Sequence, residues 1–256
     1  MKLTTWNVNG IRARLTHVID FLREQQPDVL CLQETKVVDD QFPREPLEDE
    51  GYNLEVFGQK SYNGLAILSR RPIEAVVQGL PGDGPDAEKR ALGCIVDDVM
   101  VLDLYVPNGQ EVGSEKYRYK LDWLRRLRAF LDSSYSKDEK IALVGDFNIT
   151  TDDRDVHDPD AWRDKILCSA DERAALRSVL SFGLQDVLRD RTQDAGIYTW
   201  WDYRAGPAQK NEGLRIDYVF ATQKLAATCT DVVVHTEMRA RKTPSDHAPV
   251  TAVFEG

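Results

Sequence analysis

Ile141-Ala142-Leu143-Val144-Gly145-Asp146-Phe147-Asn148 runs four apolar residues without a break, then a glycine, then two oxygen-bearing side chains at i and i+2. Uninterrupted apolar positions mark a strand covered on both faces, not one that is half in water. Period two puts Asp146 and Asn148 on one side of the chain as the strand ends. The N-terminal stretch Leu3-Thr4-Thr5-Trp6-Asn7-Val8-Asn9 echoes it, passing from a strand-like run into Asn7 and Asn9. Ligands of layered α/β proteins commonly meet the chain at strand ends. These two ends can therefore converge on one site, one from each half of the fold. N-x-N and D-x-N also occur in ordinary turns, so the echo alone does not establish chemistry.

Outward from these two stretches, strand-like runs recur at Val29 to Gln33, Leu65 to Ser69, Met100 to Val106, Ile216 to Ala221, Asp231 to His235 and Pro249 to Phe254. Leu15, Val18, Ile19 and Leu22 follow helical spacing and stop before Pro27. Leu121, Leu124, Leu127 and Leu131 mark a second helix. Ser169-Ala170-Asp171-Glu172 opens a third as a capping box, and Asp158-Pro159 reads as a further helix start. Strands alternating with helices indicate an α/β architecture. No Ser/Gly linker or low-complexity tract divides the 256 residues, so one catalytic domain over 1–256 is expected.

Hydrophobic residues make up 42% and charged residues 30%, the balance of a soluble globular chain. No apolar run approaches the roughly 20 residues of a membrane span, so no membrane partner is expected. Cys31, Cys94, Cys168 and Cys229 show no C-x-x-C or zinc-like spacing, and Cys31 and Cys94 sit in apolar runs as small buried hydrophobes. Free thiols and the lack of a leader-like apolar N-terminus point to the cytoplasm. The net charge of −10 argues at first against a polyanionic partner. The acids, however, crowd into Asp39 to Glu50 and Asp152 to Asp160. Basic residues gather at Lys116-Arg118-Lys120 and Arg239-Arg241-Lys242.

Polar groups end or begin five of the apolar strands: Asn7 and Asn9; Gln33-Glu34-Thr35-Lys36; Asp146-Phe147-Asn148; Arg215-Ile216-Asp217; and Ser245-Asp246-His247. Each alone could be a cap or a turn; together they suggest a site. Glu34, Asp146, Asp246 and the amides of Asn7 and Asn148 are hard oxygen donors suited to Mg²⁺ or Mn²⁺, and no Cys/His cluster offers a zinc alternative. Of four histidines only His247 follows an aspartate at such a strand boundary. Paired with a distant carboxylate it would be held protonated, a useful cation beside a phosphate. A dinucleotide fingerprint, a P-loop and a nucleophile elbow are all missing from the sequence.

Trp6-Asn7-Val8-Asn9-Gly10-Ile11-Arg12-Ala13-Arg14, Leu32-Gln33-Glu34-Thr35-Lys36, Tyr105-Val106-Pro107-Asn108-Gly109, Gly145-Asp146-Phe147-Asn148, Gly213-Leu214-Arg215-Ile216-Asp217-Tyr218 and Ser245-Asp246-His247-Ala248-Pro249 resemble, in order, the motifs of exonuclease III. That family also contains abasic-site endonucleases. The match is collinear from residue 2 to residue 254. S-D-H and G-D-x-N are shared with the wider endonuclease/exonuclease/phosphatase superfamily; Q-E-T-K, Y-x-P-x-G and G-L-R-I-D belong to its DNA-repair branch.

The resemblance implies a four-layer α/β sandwich, two packed, mostly antiparallel sheets flanked by helices, with the site where the loops of both sheets meet. It implies metal-dependent hydrolysis of DNA phosphodiester bonds by water, as 3′→5′ exonuclease, 3′-end cleaning or incision at abasic sites. Its partner would be duplex DNA with abasic sites, nicks or blocked or recessed 3′ ends, met by a monomer. Carried over, Glu34 is the principal metal ligand, with Asn7 and Asp246 nearby and Asp146, Asn148 and His247 in the same set. Asp146 orients or deprotonates the water, Asn148 positions water or phosphate, Tyr105 contacts the phosphate, and His247, paired with Asp217, donates to a phosphate oxygen. Trp200 and Trp201, with Leu214 and Ile216, resemble the wall of a pocket for an extrahelical sugar or an unpaired terminal nucleotide; apart from the resemblance, two core tryptophans are the simpler account. Arg12, Lys36, Lys116, Tyr117, Lys120 and Arg215 are candidate DNA-backbone contacts, which would make binding salt-sensitive. Leu167, in the loop opposite Trp200, is bulky where a small side chain would leave room for a flipped sugar. Two rivals are a small-phosphoester phosphatase of the superfamily and a non-catalytic DNA-binding module. The DNA-repair motifs weigh against the first, the retained acidic positions against the second.

Overall fold

The computed structural model describes residues 1–203 and 211–255. Twelve strands lie among the described residues: β1 (Lys2–Asn7), β2 (Val29–Gln33), β3 (Asn53–Phe57), β4 (Leu65–Ser69), β5 (Glu74–Gln78), β6 (Ala91–Val96), β7 (Val99–Tyr105), β8 (Ile141–Asp146), β9 (Leu184–Asp186), β10 (Asp217–Thr222), β11 (Cys229–Val234) and β12 (Val250–Phe254). They form two six-stranded sheets, ordered β11-β12-β1-β2-β4-β3 and β5-β6-β7-β8-β10-β9. Every pairing is antiparallel except β1 with β2 and β7 with β8. Each parallel pair is joined by a crossover helix, α1 (Ile11–Gln25) in the first sheet and α3 (Glu115–Ser134) in the second; the short α2 (Glu45–Glu48) lies between β2 and β3.

The apolar pattern explains the layers. On β2, Val29 and Cys31 enter the core between the sheets while Leu30 and Leu32 pack outward with Val18, Phe21 and Leu22 of α1. On β8, Ala142 and Val144 face the first sheet while Ile141 and Leu143 pack under Leu124 and Leu127 of α3 and Leu176 and Val179 of α5 (Ala170–Leu180). Strands with two covered faces must be apolar at consecutive positions, as the sequence implied. The result is helix, sheet, sheet, helix: the four-layer α/β sandwich with mostly antiparallel sheets. The predicted caps are present. Ser169 Oγ accepts from Glu172 N while Glu172 Oε2 accepts from Ser169 N, and Asp158 Oδ1 accepts from Ala161 N as α4 (Pro159–Trp162) begins.

The β1-α1-β2 unit flanked by antiparallel β12 and β4 is matched by β7-α3-β8 flanked by β6 and β10. The structural counterpart of β1 is therefore β7, and that of β2 is β8. The echo between Asn7 and Asp146 is not the fold's repeat; their residues meet because all four strands end at one edge.

Candidate active site

Strand direction gathers the polar groups. β1, β2, β7 and β8 finish at this edge, at Asn7, Gln33, Tyr105 and Asp146. β10 and β12 run the other way and start there, so Asp217 lies in register with Asp146, and Ser245-Asp246-His247 sits beside the end of β1. Ser245 Oγ donates to Asn7 O at 2.6 Å, and Trp6 Nε1 to His247 O at 3.2 Å. Gly145 is required before Asp146: its φ is +136°, and a Cβ there would stand 1.9 Å from Leu104 O on β7. Glu34, at φ +53°, leaves β2 through a left-handed turn that aims its carboxylate back over the strand ends.

At the centre Asn7 Nδ2 donates to Glu34 Oε1 and to Asp146 Oδ2, both at 2.8 Å. Asn148 N donates to Asp146 Oδ1 at 2.9 Å. His247 Nδ1 lies 2.9 Å from Asp217 Oδ2, and its Nε2 lies 3.7 Å from Asp146 Oδ2. Burial alone would depress the His247 pKa, but the Asp217 and Asp146 carboxylates outweigh it and raise it to about 10. Burial pushes Asp146 up to about 7 against the attraction of His247. The Tyr105 hydroxyl is raised well above its ordinary value by burial and by Glu34, to which it donates.

One ligand atom from each of Glu34, Asp146 and His247 lies within 4.8 Å of the others. The two carboxylates fit a hard divalent cation; His247 is engaged through Nδ1 by Asp217, and its Nε2 faces Asp146. Three other residues expected in the metal set are held differently. Asn7 turns its NH₂ toward both carboxylates while its Oδ1 accepts from Asn9 N. Asn148 spends its amide on Val106 O and Asn108 Nδ2. Asp246 accepts from Asn9 Nδ2 at 3.0 Å and Trp200 Nε1 at 3.1 Å, outside the close group.

An extended segment, Tyr198 to Trp201, seals one side, with Trp200 bridged to both Leu214 and His247. A buried acid beside a histidine–aspartate pair, two converging carboxylates and an aromatic wall form a hydrolytic phosphoester site, and the comparisons with known proteins agree. Residues 4–247 match the model of the Endonuclease/Exonuclease/phosphatase family. The chain belongs to that family. It is 35% identical over 267 residues to exodeoxyribonuclease III of Haemophilus influenzae, all of both chains being covered. Among solved structures, the Neisseria 3′ phosphatase NExo bound to a product DNA hairpin superimposes with a TM-score of 0.96 at 41% identity. An AP endonuclease from Archaeoglobus fulgidus does so with 0.96 at 38%, and both structures are covered end to end along with this chain. Within its family the chain is thus a nuclease of the exodeoxyribonuclease III type, a DNA-repair phosphodiesterase acting on DNA with a divalent metal.

Several of the expected DNA contacts are elsewhere in this nuclease. Lys120 is 0% exposed; its Nζ donates to Asn148 O at 2.6 Å and Asn108 O at 3.0 Å and pairs with Glu172. It ties the D-x-N loop to α5 and cannot reach a phosphate. Arg215 is 1% exposed, bound to Asp155 at 2.7 Å and Asp186 at 2.7 Å. Tyr117 is buried with its hydroxyl 2.7 Å from Ser169 Oγ. Trp201 packs with Tyr198 and Ala248 beneath Arg239, a core tryptophan, whereas half-buried Trp200 faces the site. Leu214 and Ile216 are covered, backing Trp200 together with Val156 and Leu167. Lys36 is at the rim, 2.9 Å from Glu34 Oε2, and Arg12 and Lys116 are exposed. Arg204, which follows Trp200-Trp201-Asp202-Tyr203 in the sequence, lies outside the described residues. Sequence reasoning missed Asn108 and Thr199, which orient Asn148 and Asp217. Asn9, singled out by the N-x-N spacing but given no role, holds Asp246.

Proposed function

We propose that this chain removes nucleotides or blocking groups from DNA 3′ ends and incises at abasic sites, with Mg²⁺ or Mn²⁺ held by Glu34 and Asp146. The observation that carries the reading is Asp146 itself: oriented by Asn7 and Asn148, faced by protonated His247, and placed in register with Asp217. The metal would supply Lewis-acid stabilisation of the charge on the phosphoryl oxygens.

The chain's own groups perform the remaining steps. Ionised Asp146 takes a proton from water, whose oxygen bonds to phosphorus as the bond to the sugar oxygen breaks, and that oxygen leaves as a hydroxyl by taking a proton from solvent. His247 Nε2 donates a hydrogen bond to a phosphoryl oxygen, and Asp217 holds the ring in that orientation. Tyr105 donates to Glu34 and stands beside the same phosphate position. Lys36, Arg12 and Lys116 attract the backbone without regard to sequence. Trp200 walls the pocket for an extruded sugar or an unpaired terminal nucleotide, and Leu167 fills that wall so as to favour 3′-end processing.

A gel comparing an internal abasic duplex, a recessed 3′ end and a 3′-phosphate, with and without EDTA, tests the reading. Metal-dependent product from these DNAs is expected; activity on soluble phosphoesters alone would overturn it.

A further inference from the structure

Side chains on alternate positions climb between the two sheets toward the site. On β1 the row is Leu3, Thr5, Asn7; on β2 it is Val29, Cys31, Gln33, followed by Glu34. On β7 it is Val101, Asp103, Tyr105, and on β8 Ala142, Val144, Asp146. The lower members belong to the apolar core between the sheets, and the upper ones are the catalytic groups. Between them lies one buried polar patch, Thr5, Gln33 and Asp103, each 0% exposed. It is the floor of the active site, and the reaction does not use it directly.

Gln33 Nε2 donates to Asp103 Oδ1 at 2.6 Å, across the boundary between the sheets, and also reaches Thr5 Oγ1 at 2.9 Å and Cys31 O at 3.2 Å. Two buried atoms of the same pair have no partner, Gln33 Oε1 and Asp103 Oδ2. Both are acceptors while the carboxyl is ionised, so neither can satisfy the other. A proton on Asp103 Oδ2 would supply the donor that both atoms lack, closing the pair into an acid–amide ring. Burial drives the Asp103 carboxyl well above the usual range, with the Gln33 hydrogen bond as the opposing influence; no basic side chain among the described residues offsets it.

We propose that Asp103 is a neutral carboxylic acid locked to Gln33, and that this bridge between β7 and β2 positions Glu34 and Tyr105. Its catalytic consequence rests on the function proposed above; the protonated pair does not. Gln33 directly precedes Glu34, and Asp103 stands two residues before Tyr105, whose hydroxyl meets Glu34. Apolar packing sets the distance between two sheets but is not directional. A hydrogen-bonded ring also fixes how far one strand end slides along the other. Asp103 and Gln33 are thus positioning residues, acting through the groups above them.

Asp103→Asn keeps one donor and one acceptor in the same shape, whereas Asp103→Ala removes both. The magnesium-loaded wild type should show the carbonyl stretch of a protonated carboxyl that persists well above the usual carboxylate range and vanishes in the Asp103→Asn difference infrared spectrum. The asparagine variant should keep kcat within about twofold, while the alanine variant loses about tenfold or more in kcat at little cost in KM. Mn²⁺ affinity should weaken in the alanine variant and not in the asparagine one. A spectrum without that band, or an asparagine variant as impaired as the alanine one, overturns the proposal. Should the DNA-hydrolysis reading itself fail, the band and the Mn²⁺ affinities still decide the state of the pair.

Discussion

Asp217 Oδ2 accepts from Thr199 Oγ1 at 2.6 Å and lies 2.9 Å from His247 Nδ1. The threonine fixes the carboxylate, the carboxylate fixes the imidazole, and the Nε2 proton is left facing Asp146. Asp217→Asn would present an NH₂ to Nδ1, which must then accept; the one remaining proton stays on Nε2, but the imidazole loses the carboxylate that keeps it charged. Its kcat should fall by about two orders of magnitude or more with DNA affinity nearly unchanged. Thr199→Val should cost about tenfold or less, since the carboxylate remains. Single-turnover rates alongside equilibrium binding separate the two effects. A loss confined to binding would make the pair a structural one.

With Lys36 2.9 Å from Glu34, the chelated protein has a cation at the carboxylate without a Lewis acid. EDTA should therefore silence turnover while leaving the circular dichroism spectrum intact. Glu34→Gln should lower kcat by about three orders of magnitude, the scale of a lost metal contribution of several kcal/mol. Restoring Mg²⁺ or Mn²⁺ should rescue the wild type and not the variant. Full activity of the chelated enzyme would refute the assignment.

The pH profile follows from two raised pKa values. Asp146, pushed up by burial to about 7 before a cation binds and drawn down again by one, works as a base only when ionised, so activity climbs with pH at or below that value. His247 works only when protonated, and Asp217 with Asp146 raises it to about 10 despite burial, so activity declines above that. The expected kcat/KM curve is a broad bell, and Asp146→Asn should erase its acidic limb together with most of the rate. An acidic limb surviving in that variant would assign it to another group.

What the sequence revealed depended on how far apart cause and effect lie along the chain. α1, α3 and α5 carry their own periodicity and caps, and the two-sided strands β2 and β8 carry uninterrupted apolar runs. β3, β5 and β9, three of the four sheet edges, escaped notice for want of a clear apolar pattern. β5 is mostly exposed, β3 mixes polar with apolar residues, and β9 has three residues. β6 was hidden by Gly93 in its middle, which packs against Leu102. The acidic set was legible because each member sits at a strand end. Lys120 and Arg215 were not: their carboxylate partners are Glu172, 52 residues away, and Asp155 and Asp186, 60 and 29 residues away. A basic residue in a motif carries no local mark that distinguishes a phosphate contact from a buried ion pair.

That correction has its own test. Asp155, despite burial, is lowered to about 2 chiefly by Arg215, with Arg189 adding to it. A folded pKa below the unfolded one means the stabilisation is present above about pH 4 and is lost as pH falls toward about 2. Arg215→Ala leaves a buried carboxylate short of its partner and should cost about 3–5 kcal/mol in denaturant unfolding at neutral pH. The salt dependence of DNA binding should not change, whereas Lys36→Ala or Lys116→Ala should each reduce its slope by about 1. Were Arg215→Ala to flatten the slope without loss of stability, it would be a DNA contact after all.

Leu167 lies in the apolar cluster that backs Trp200. Its side chain is 4% exposed, packed with Val156, Leu214 and Ile216 and touching the cluster that includes Trp200. Its φ of +73° is one that a side chain resists, at about 1–2 kcal/mol. Its backbone is anchored independently: its N donates to Glu172 Oε1 at 3.1 Å, and its O accepts from Thr150 N at 2.7 Å. Leu167→Gly would therefore relieve the backbone and keep the loop's path while emptying the space behind Trp200. The cavity should cost about 2–5 kcal/mol, partly offset by the relief. Extruding an abasic sugar from a continuous strand needs that space more than a terminal nucleotide does, because DNA on both sides limits its approach. The ratio of internal abasic incision to 3′-terminal removal on matched duplexes should rise by about tenfold, the discrimination a change of this size in an apolar pocket can supply. An unchanged or lower ratio would mean that Leu167 only packs the loop, and that the choice between substrates is made elsewhere.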